Sequence, residues 1–369
     1  MEMVTRCTRC IMDDSSDPTI HFDEQGHCNY CTAALKEKDS IYFPNAEGQR
    51  RLEALVAILK AEGKGKEFDC IMGLSGGLDS SYLLYIGHKL GLRILGVHID
   101  DGFDTDISKE NLRRLVEATG IAYVVVQPDA EQFYGLSKAY LKAGVANIAA
   151  PQDNVLFAEI YALMRQKKIR YFLSGGNWAL ESILQKGNTH TAMDVVNMRD
   201  INRRFGITKL NRLRFLTAYR RVWDQYVLGI QSPRPLNYLD YNRARAFQEL
   251  KDFCGFAYYG RKHLENVFTA FAQLVWFPQK FGVDKRTSHL SSMIVSGQMT
   301  REEAMAEYIQ PMHDKGMMEG YLTEIKARLQ LTSAEYEAIM AAPAHEHSEY
   351  KIDPMLILAR KLRVKPKKG

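Results

Sequence analysis

A chain of 369 residues, 46% hydrophobic and 25% charged, is long enough for two or three units with cores of their own, and this ordinary balance excludes a disordered or fibrous protein. The formal charge of +5 does not signal a nucleic-acid binder, because Arg360, Lys361, Arg363, Lys365, Lys367 and Lys368 crowd the last ten residues and leave −1 over the rest. No run reaches the ~18 apolar residues of a membrane span and the N-terminus lacks an apolar leader, so the expectation is a cytoplasmic protein with no membrane span and no nucleic-acid partner.

Four of the six cysteines lie in the first 31 residues. Cys7-Thr8-Arg9-Cys10 and Cys28-Asn29-Tyr30-Cys31 form a C-x2-C pair repeated after seventeen residues. That spacing places four thiolates around one Zn²⁺, and a four-sulfur set leaves no open position, so the site is expected to be structural. An iron–sulfur cluster is the rival centre. His21 and His27 are not needed as ligands. Residues 1–40 are therefore read as a zinc ribbon.

A charged helix with Leu52, Leu55, Val56 and Leu59 on one face follows, and Gly63-Lys64-Gly65-Lys66 links it to the main unit, placed at residues 60–185. Its first strand, Phe68 to Met72, runs into Gly73-Leu74-Ser75-Gly76-Gly77-Leu78-Asp79-Ser80 and a helix from Ser80 to Leu90 that stops at Gly91. Paired glycines before a helix start make a phosphate cradle of free amides and hydroxyls. The kinase-type spacing fails here, since Leu78 and Asp79 stand where Gly and Lys are required. A second strand (Arg93–Asp100), a helix (Ile107–Thr119) and a third strand (Tyr123–Val126) come next. Asp153-Asn154 read as a helix cap, with a contact to ATP or substrate as the second reading, and a fourth strand (Tyr171–Leu173) ends in Ser174-Gly175-Gly176-Asn177. This alternation predicts an α/β fold with a parallel sheet and ligands at the carboxyl ends of its strands.

The stretch Ser75-Gly76-Gly77-Leu78-Asp79-Ser80 resembles the S-G-G-x-D-S signature of the PP-loop ATP pyrophosphatases, a HUP-like, adenine nucleotide alpha hydrolase fold. The resemblance implies that Leu74, Ser75, Gly76, Gly77, Asp79 and Ser80 hold the pyrophosphate of ATP with its Mg²⁺. It also implies that His98 and Asp100 lie against the adenosine, and that Ser174, Gly175, Gly176, Asn177 and Glu181 complete the nucleotide pocket. Turn and cap duties are the alternative for each of these.

From about Gln185 the alternation gives way to a helical part, 186–369, with Arg-rich and aromatic-rich segments around Arg203-Arg204, Arg212 to Phe215 and Tyr219 to Trp223. Those arginines can meet an anionic substrate or serve as surface partners of acidic residues. Further on, Arg261-Lys262-His263-Leu264-Glu265 and Lys285-Arg286 flank an aromatic helix. Lys285 and Arg286 can supply positive charge to a departing pyrophosphate, and His263 or Glu265 can orient a proton acceptor for an incoming amine. Thr300 with Glu303, and Thr332 with Glu335, read as capping boxes, and His345-Glu346-His347 as a loop.

The four-cysteine ribbon, the Ser75–Ser80 loop, Ser174-Gly175-Gly176-Asn177, Lys262-His263-Leu264-Glu265, Phe281 to Arg286 and Ser296-Gly297-Gln298, in that order, resemble the N-acetyl sugar amidotransferases over nearly the whole chain. That family acts in bacterial surface polysaccharide synthesis, including lipopolysaccharide O-antigen. It converts an acetamido group of a nucleotide-activated sugar to an acetamidino group. The resemblance implies ATP, Mg²⁺ and Zn²⁺, and catalytic roles for Asp79, Lys285, Arg286, His263 and Glu265. It also implies a nucleotide-sugar substrate, either a UDP-linked diacetamido mannuronic acid type or a CMP-linked pseudaminic or legionaminic type. Ammonia is expected from a separate glutamine amidotransferase like the histidine-pathway glutaminase, often with a cyclase-like subunit, because Glu2 follows Met1 and no Gly-x-Cys-x-Gly elbow surrounds Cys70 or Cys254. A tRNA-modifying PP-loop thiolase or lysidine-type enzyme is the rival enzyme reading, and an ATP-sensing scaffold the non-enzyme one.

Overall fold

Four strands, β1 (Cys70–Gly73), β2 (Ile94–Ile99), β3 (Ala122–Val126) and β4 (Phe172–Leu173), form one parallel sheet in the order β3-β2-β1-β4. The structure is a computed structural model that describes residues 4–257, 259–260 and 264–363. β1 is an unbroken apolar run and β2 is one apart from His98, because layers cover both faces of the sheet. Successive residues alternate between two cores: Cys70, Met72 and Ile94 face one side, and Ile71, Leu95 and Val97 the other. β3 lies at the end of the sheet, and its Val125 is 49% exposed.

The helices are α1 (Asn29–Ile41), α2 (Ala46–Glu62), α3 (Leu78–Lys89), α4 (Asp106–Thr119), α5 (Ala130–Ala143), α6 (Ala150–Lys167), α7 (Trp178–Glu181), α8 (Val195–Phe205) and α9 (Ala218–Tyr226). They continue as α10 (Arg243–Cys254), α11 (Val267–Phe271), α12 (Phe277–Phe281), α13 (Arg286–Ser296), α14 (Arg301–Tyr308), α15 (Lys315–Arg328), α16 (Ser333–Ala341) and α17 (Pro354–Arg363). Both expected capping boxes are present, at the starts of α14 and α16. A π turn, Ala272–Trp276, joins α11 to α12. Pro278 follows it at the start of α12, where it lacks an N–H and would crowd a tighter turn. Among the described residues no helix is long and apolar enough to cross a membrane.

Chain order reverses at β1. β1 has β2 on one side and β4 on the other, so its carboxyl end opens into a crevice between diverging connections. The parts of the chain before and after residue 185 are in contact. The segment at Gln231–Pro233 runs alongside β4, taking hydrogen bonds from Phe172 N at 2.9 Å and Ser174 N at 3.0 Å. The ribbon cysteines likewise share one apolar core with Met72, Tyr82, Leu115, Trp178 and Leu250.

Two local readings are corrected. Asn154 does not cap a helix: α6 starts at Ala150 with Pro151 in its first turn, and the buried Asn154 side chain donates to the carbonyls of Ala192 (2.6 Å) and Leu216 (2.9 Å). The helix after the cradle starts at Leu78 rather than Ser80. Of the two uses open to the arginines, surface pairing is the one found. Arg203 and Arg204 pair with Asp200, Arg212 with Asp129 and Glu131, Arg214 with Glu159, and Arg220 with Asp224. His345 pairs with Glu349 and His347 stacks on His190, in keeping with a loop.

Candidate active site

The residues after β1 leave the sheet as a turn stitched by its own hydroxyls. Ser75 Oγ lies 3.2 Å from Ser80 Oγ and accepts from Gly77 N at 3.2 Å, and Ser80 Oγ donates to the Gly77 carbonyl. Gly76 takes φ +73°, and a Cβ there would stand 2.3 Å from the Ser108 carbonyl oxygen of α4. Gly76→Ala therefore meets both a backbone strain of about 1–3 kcal/mol and a backbone clash. A fall of about 10²-fold or more in nucleotide affinity, measured by calorimetry with ATP, is the expected outcome. Gly175 serves a second close approach, since its Cβ would lie 3.2 Å from Ser80 N at the start of α3.

This turn faces a groove of about 180 Å³ lined by Ser75, Gly77, Asp79, Ser80, Gly175, Gly176, Glu181, Tyr259 and Glu265. Three carboxylates, those of Asp79, Glu181 and Glu265, thus line it. A polyphosphate entering such a groove requires divalent cations, and an all-oxygen donor set suits Mg²⁺. Asp79 accepts a hydrogen bond from the Tyr241 hydroxyl, and Leu78 N donates to Tyr259 Oη at 2.8 Å. Burial and the Asp79 carboxylate hold the Tyr241 phenol well above its ordinary pKa, so it stays a donor. Sequence reasoning missed both tyrosines, which come from more than 160 positions downstream.

Beside the groove, and sharing Ser75 and Glu265 with it, lies a cavity of about 570 Å³. That size falls within the ~300–1,000 Å³ of small-molecule sites. One wall is Leu74, Ser75, Val97 and His98 from the strand ends, another is Gln152 and Asp153 from α6, and a third is Glu265, Asn266, Thr269, Gln273, Lys285 and Ser288. His98 donates from Nδ1 to the Leu74 carbonyl at 2.8 Å, and its Nε2 lies 2.9 Å from Asp104 Oδ2. Burial opposes its protonation, but the Asp104 carboxylate and the Leu74 carbonyl outweigh it and raise the imidazole pKa. Lys285, at the N-terminal end of α13, has Nζ 4.5 Å from the Phe277 ring centroid. Burial lowers its ammonium pKa to about 8.

Several predicted residues sit elsewhere. Asp100 turns from the cavity, accepting from Gln127 Nε2 (2.9 Å) and Gly102 N (3.0 Å), because the chain leaves the strand at Ile99 and turns at Gly102. Asp101 and Asp104 face the cavity instead. Arg286 is held by Asp284 at 2.7 Å and by the Gln310 carbonyl at 2.9 Å, outside both the cavity and the groove. Asn177 caps α7 through Leu180 N, and Ser174 Oγ accepts from Gly176 N, so these two shape the turn. His263 lies outside the described residues. Neither Cys70, inside β1, nor Cys254, which donates to the Leu250 carbonyl, lines the groove or the cavity, and a thiolase would need such thiols.

At the other end, Cys7, Cys10, Cys28 and Cys31 are fully buried, with sulfurs grouped within 4.8 Å. Cys7 Sγ is 3.8 Å from Cys31 Sγ, and Cys10 Sγ is 3.6 Å from Cys28 Sγ. Four sulfurs about 2.3 Å from one ion stand about 3.8 Å apart, so the spacing fits a single tetrahedral metal rather than a polynuclear cluster. Backbone N–H groups of Cys10 and Cys28 point at Cys7 Sγ (3.4 and 3.2 Å), the kind of contact that stabilises thiolates. The ribbon also braces the cavity. Asp17 accepts from Gly187 N at 3.1 Å, Tyr30 Oη accepts from Lys186 N at 2.8 Å, and Leu184, Gln185, Asn188 and Thr189 of that segment line the cavity.

The fold is thus a parallel α/β sheet with a glycine turn at its switch point, an acidic groove and an adjoining cavity. Residues 265–363 match the family "LPS biosynthesis protein WbpG-like, C-terminal domain", and this is the part of the chain that supplies the third cavity wall. Among solved structures, an NMN synthetase from Francisella tularensis is 17% identical with a TM-score of 0.29, covering 61% of this chain and 92% of its own. An NH3-dependent NAD synthetase from Campylobacter jejuni subsp. jejuni NCTC 11168 is 11% identical with a TM-score of 0.30, covering 76% and 94%. A search of curated proteins finds no match.

Proposed function

We propose that this protein is an ATP-dependent amidotransferase that converts the acetamido group of a nucleotide-activated sugar to an acetamidino group in lipopolysaccharide biosynthesis. One observation carries the reading: residues of the WbpG-like part, among them Glu265, Thr269, Gln273 and Lys285, and the Leu74–Ser75 end of the phosphate cradle line the same cavity. ATP phosphates in the groove and an acetamido sugar in the cavity would meet at Ser75 and Glu265, which border both.

An amide carbonyl is a weak electrophile with a poor leaving group. Transfer of AMP to its oxygen, with pyrophosphate leaving, makes an imidate ester from which AMP departs readily when ammonia attacks. Ser75, Gly77 and Ser80 offer donors to the departing pyrophosphate. Asp79, Glu181 and Glu265 would hold Mg²⁺, which when bound neutralises phosphate charge and eases departure of the leaving group. Lys285 supplies a half-buried cation to the developing charge, and its lowered pKa leaves that cation intact below about pH 8. The four cysteines would bind a structural Zn²⁺. Ammonia would come from a partner glutaminase of the histidine-pathway type.

The test is pyrophosphate release with ATP, Mg²⁺ and ammonium, comparing UDP- and CMP-linked acetamido sugars with bulk tRNA. A sugar-dependent burst of pyrophosphate and a product about 1 Da lighter, oxygen exchanged for NH, is the expected result. Lys285→Ala should then lower kcat by about 10²-fold, and the unaltered enzyme should lose activity as pH rises through about 8, where Lys285 gives up its proton. Stimulation by tRNA alone would overturn the proposal.

A further inference from the structure

One helix turns the usual pattern inside out. Tyr219, Val222, Trp223 and Tyr226 of α9 stand at i, i+3, i+4 and i+7, the spacing of a stripe that ordinarily faces a core. Yet all four are exposed, Tyr219 by 65% and Tyr226 by 77%, and the stripe continues into exposed Val227 and Leu228. The opposite side of the helix is the anchored one. Ala218 is buried there, and the fully buried Asp224 is held by Arg165 at 2.5 Å and Arg220 at 3.1 Å.

α17 packs beside α9. Its Met355 and Leu356 rest on the core that contains Leu216 and Ala218, whereas Ile357 and Leu358 are exposed. Single exposed apolar residues are ordinary, but a run of large ones on two neighbouring helices marks an interaction surface. None of these side chains lines the groove or the cavity, so the surface is separate from the candidate active site.

Charge decides what the surface would meet. Residues 214–230 and 351–369 contain ten Lys and Arg against two Asp, while the rest of the chain has 39 basic against 42 acidic residues. The positive charge is therefore concentrated on the segments that carry the exposed stripe, which calls for an anionic occupant. A second copy would instead bring like charges together. Tyr and Trp rings, apolar in the body and polar at one edge, settle where hydrocarbon meets water, and Lys or Arg beside them meets lipid phosphate.

We propose that the surface of α9 and α17 seats the protein on anionic lipid bilayers, with the Tyr219–Tyr226 stripe in the headgroup layer and the cations of residues 360–368 against lipid phosphates. The binding is peripheral and reversible. The stripe supplies apolar contact, the cations supply the long-range attraction, and stable attachment takes both. Nothing in this depends on the amidotransferase reading.

Trp178 and Trp276 are buried and Trp223 is exposed, so of the three tryptophans it is Trp223 that can meet lipid. The test is sedimentation of the full chain with phosphatidylcholine vesicles holding about one quarter phosphatidylglycerol. Binding is expected, and it should fall about tenfold or more on pure phosphatidylcholine, or when salt rises from about 0.1 M to about 0.5 M. Lipids brominated on the acyl chain, in the same vesicles, should quench Trp223. Val222→Gln with Tyr226→Gln, both at exposed positions, should cut binding about tenfold while the melting temperature holds. Lys365→Gln, Lys367→Gln and Lys368→Gln together should cut it by about as much.

No sedimentation with the anionic vesicles overturns the proposal, and so does sedimentation without quenching, which would put another face on the lipid. Concentration-dependent dimers abolished by the Val222 and Tyr226 substitutions would show a second copy on the stripe. Binding to an acidic protein in place of vesicles would show a protein partner, and either result overturns the proposal. Quenching is read on the unaltered chain and needs no variant to fold. None of these outcomes involves turnover, so the amidotransferase reading stands or falls separately.

Discussion

Asp79→Asn is expected to reduce pyrophosphate release by about 10³-fold or more while leaving the fold intact. The amide that replaces the carboxylate can still accept from the Tyr241 hydroxyl, so the contact between α3 and the segment before α10 is kept. What disappears is one of the three negative charges of the acidic groove. A cation held by Asp79, Glu181 and Glu265 would bind less tightly, and the pyrophosphate it neutralises would be a poorer leaving group. Two readouts check this: pyrophosphate release under saturating ATP, and the affinity for Mn²⁺ as a paramagnetic stand-in for Mg²⁺. Full activity in the variant would mean that phosphates bind elsewhere than in the groove before α3.

If the four cysteines hold zinc as proposed, Cys7→Ser is expected to lose it together with most of the stability it would supply. Zinc binding in small four-ligand sites is worth about 10–16 kcal/mol of apparent free energy, and a serine oxygen is a poor substitute for a thiolate. Damage should spread beyond the ribbon. Arg301 of α14 donates to the carbonyls of Cys10 (3.1 Å) and Cys7 (3.2 Å), and Ile11 N donates to Ser291 Oγ of α13 at 3.1 Å, so the ribbon ties together the two helices behind Lys285. Through Asp17 and Tyr30 it also holds the 184–189 wall of the cavity. The variant should therefore show less than one zinc per chain, a lower melting temperature and a raised KM for the sugar. Soluble, zinc-free protein with unchanged melting and unchanged KM would remove the structural role.

The limits of sequence reading are visible in particular residues. Asp100 was expected against the adenosine from the resemblance, but the chain turns at Gly102 and Asp101 and Asp104 line the cavity instead. Arg286 beside Lys285 looked like a second cation for the leaving group. One position along the first turn of α13 is enough to aim it at Asp284 and away from the cavity. Asn177 was expected to touch nucleotide and instead caps a one-turn helix. Tyr241 and Tyr259 carried no motif, and their place follows from how the residues around α10 pack against the start of α3.

Local patterns were sufficient wherever the information is local. Apolar runs punctuated by glycine determined the parallel strands, the C-x2-C spacing determined the sulfur cluster, and the Ser75–Ser80 turn determined the cradle, because each depends on backbone geometry within a few residues. Which carboxylates face the cavity and what the ribbon braces were decided only by tertiary structure. Those properties depend on the partners that long-range packing brings to each side chain, and here the partners lie some 50 to 290 residues apart.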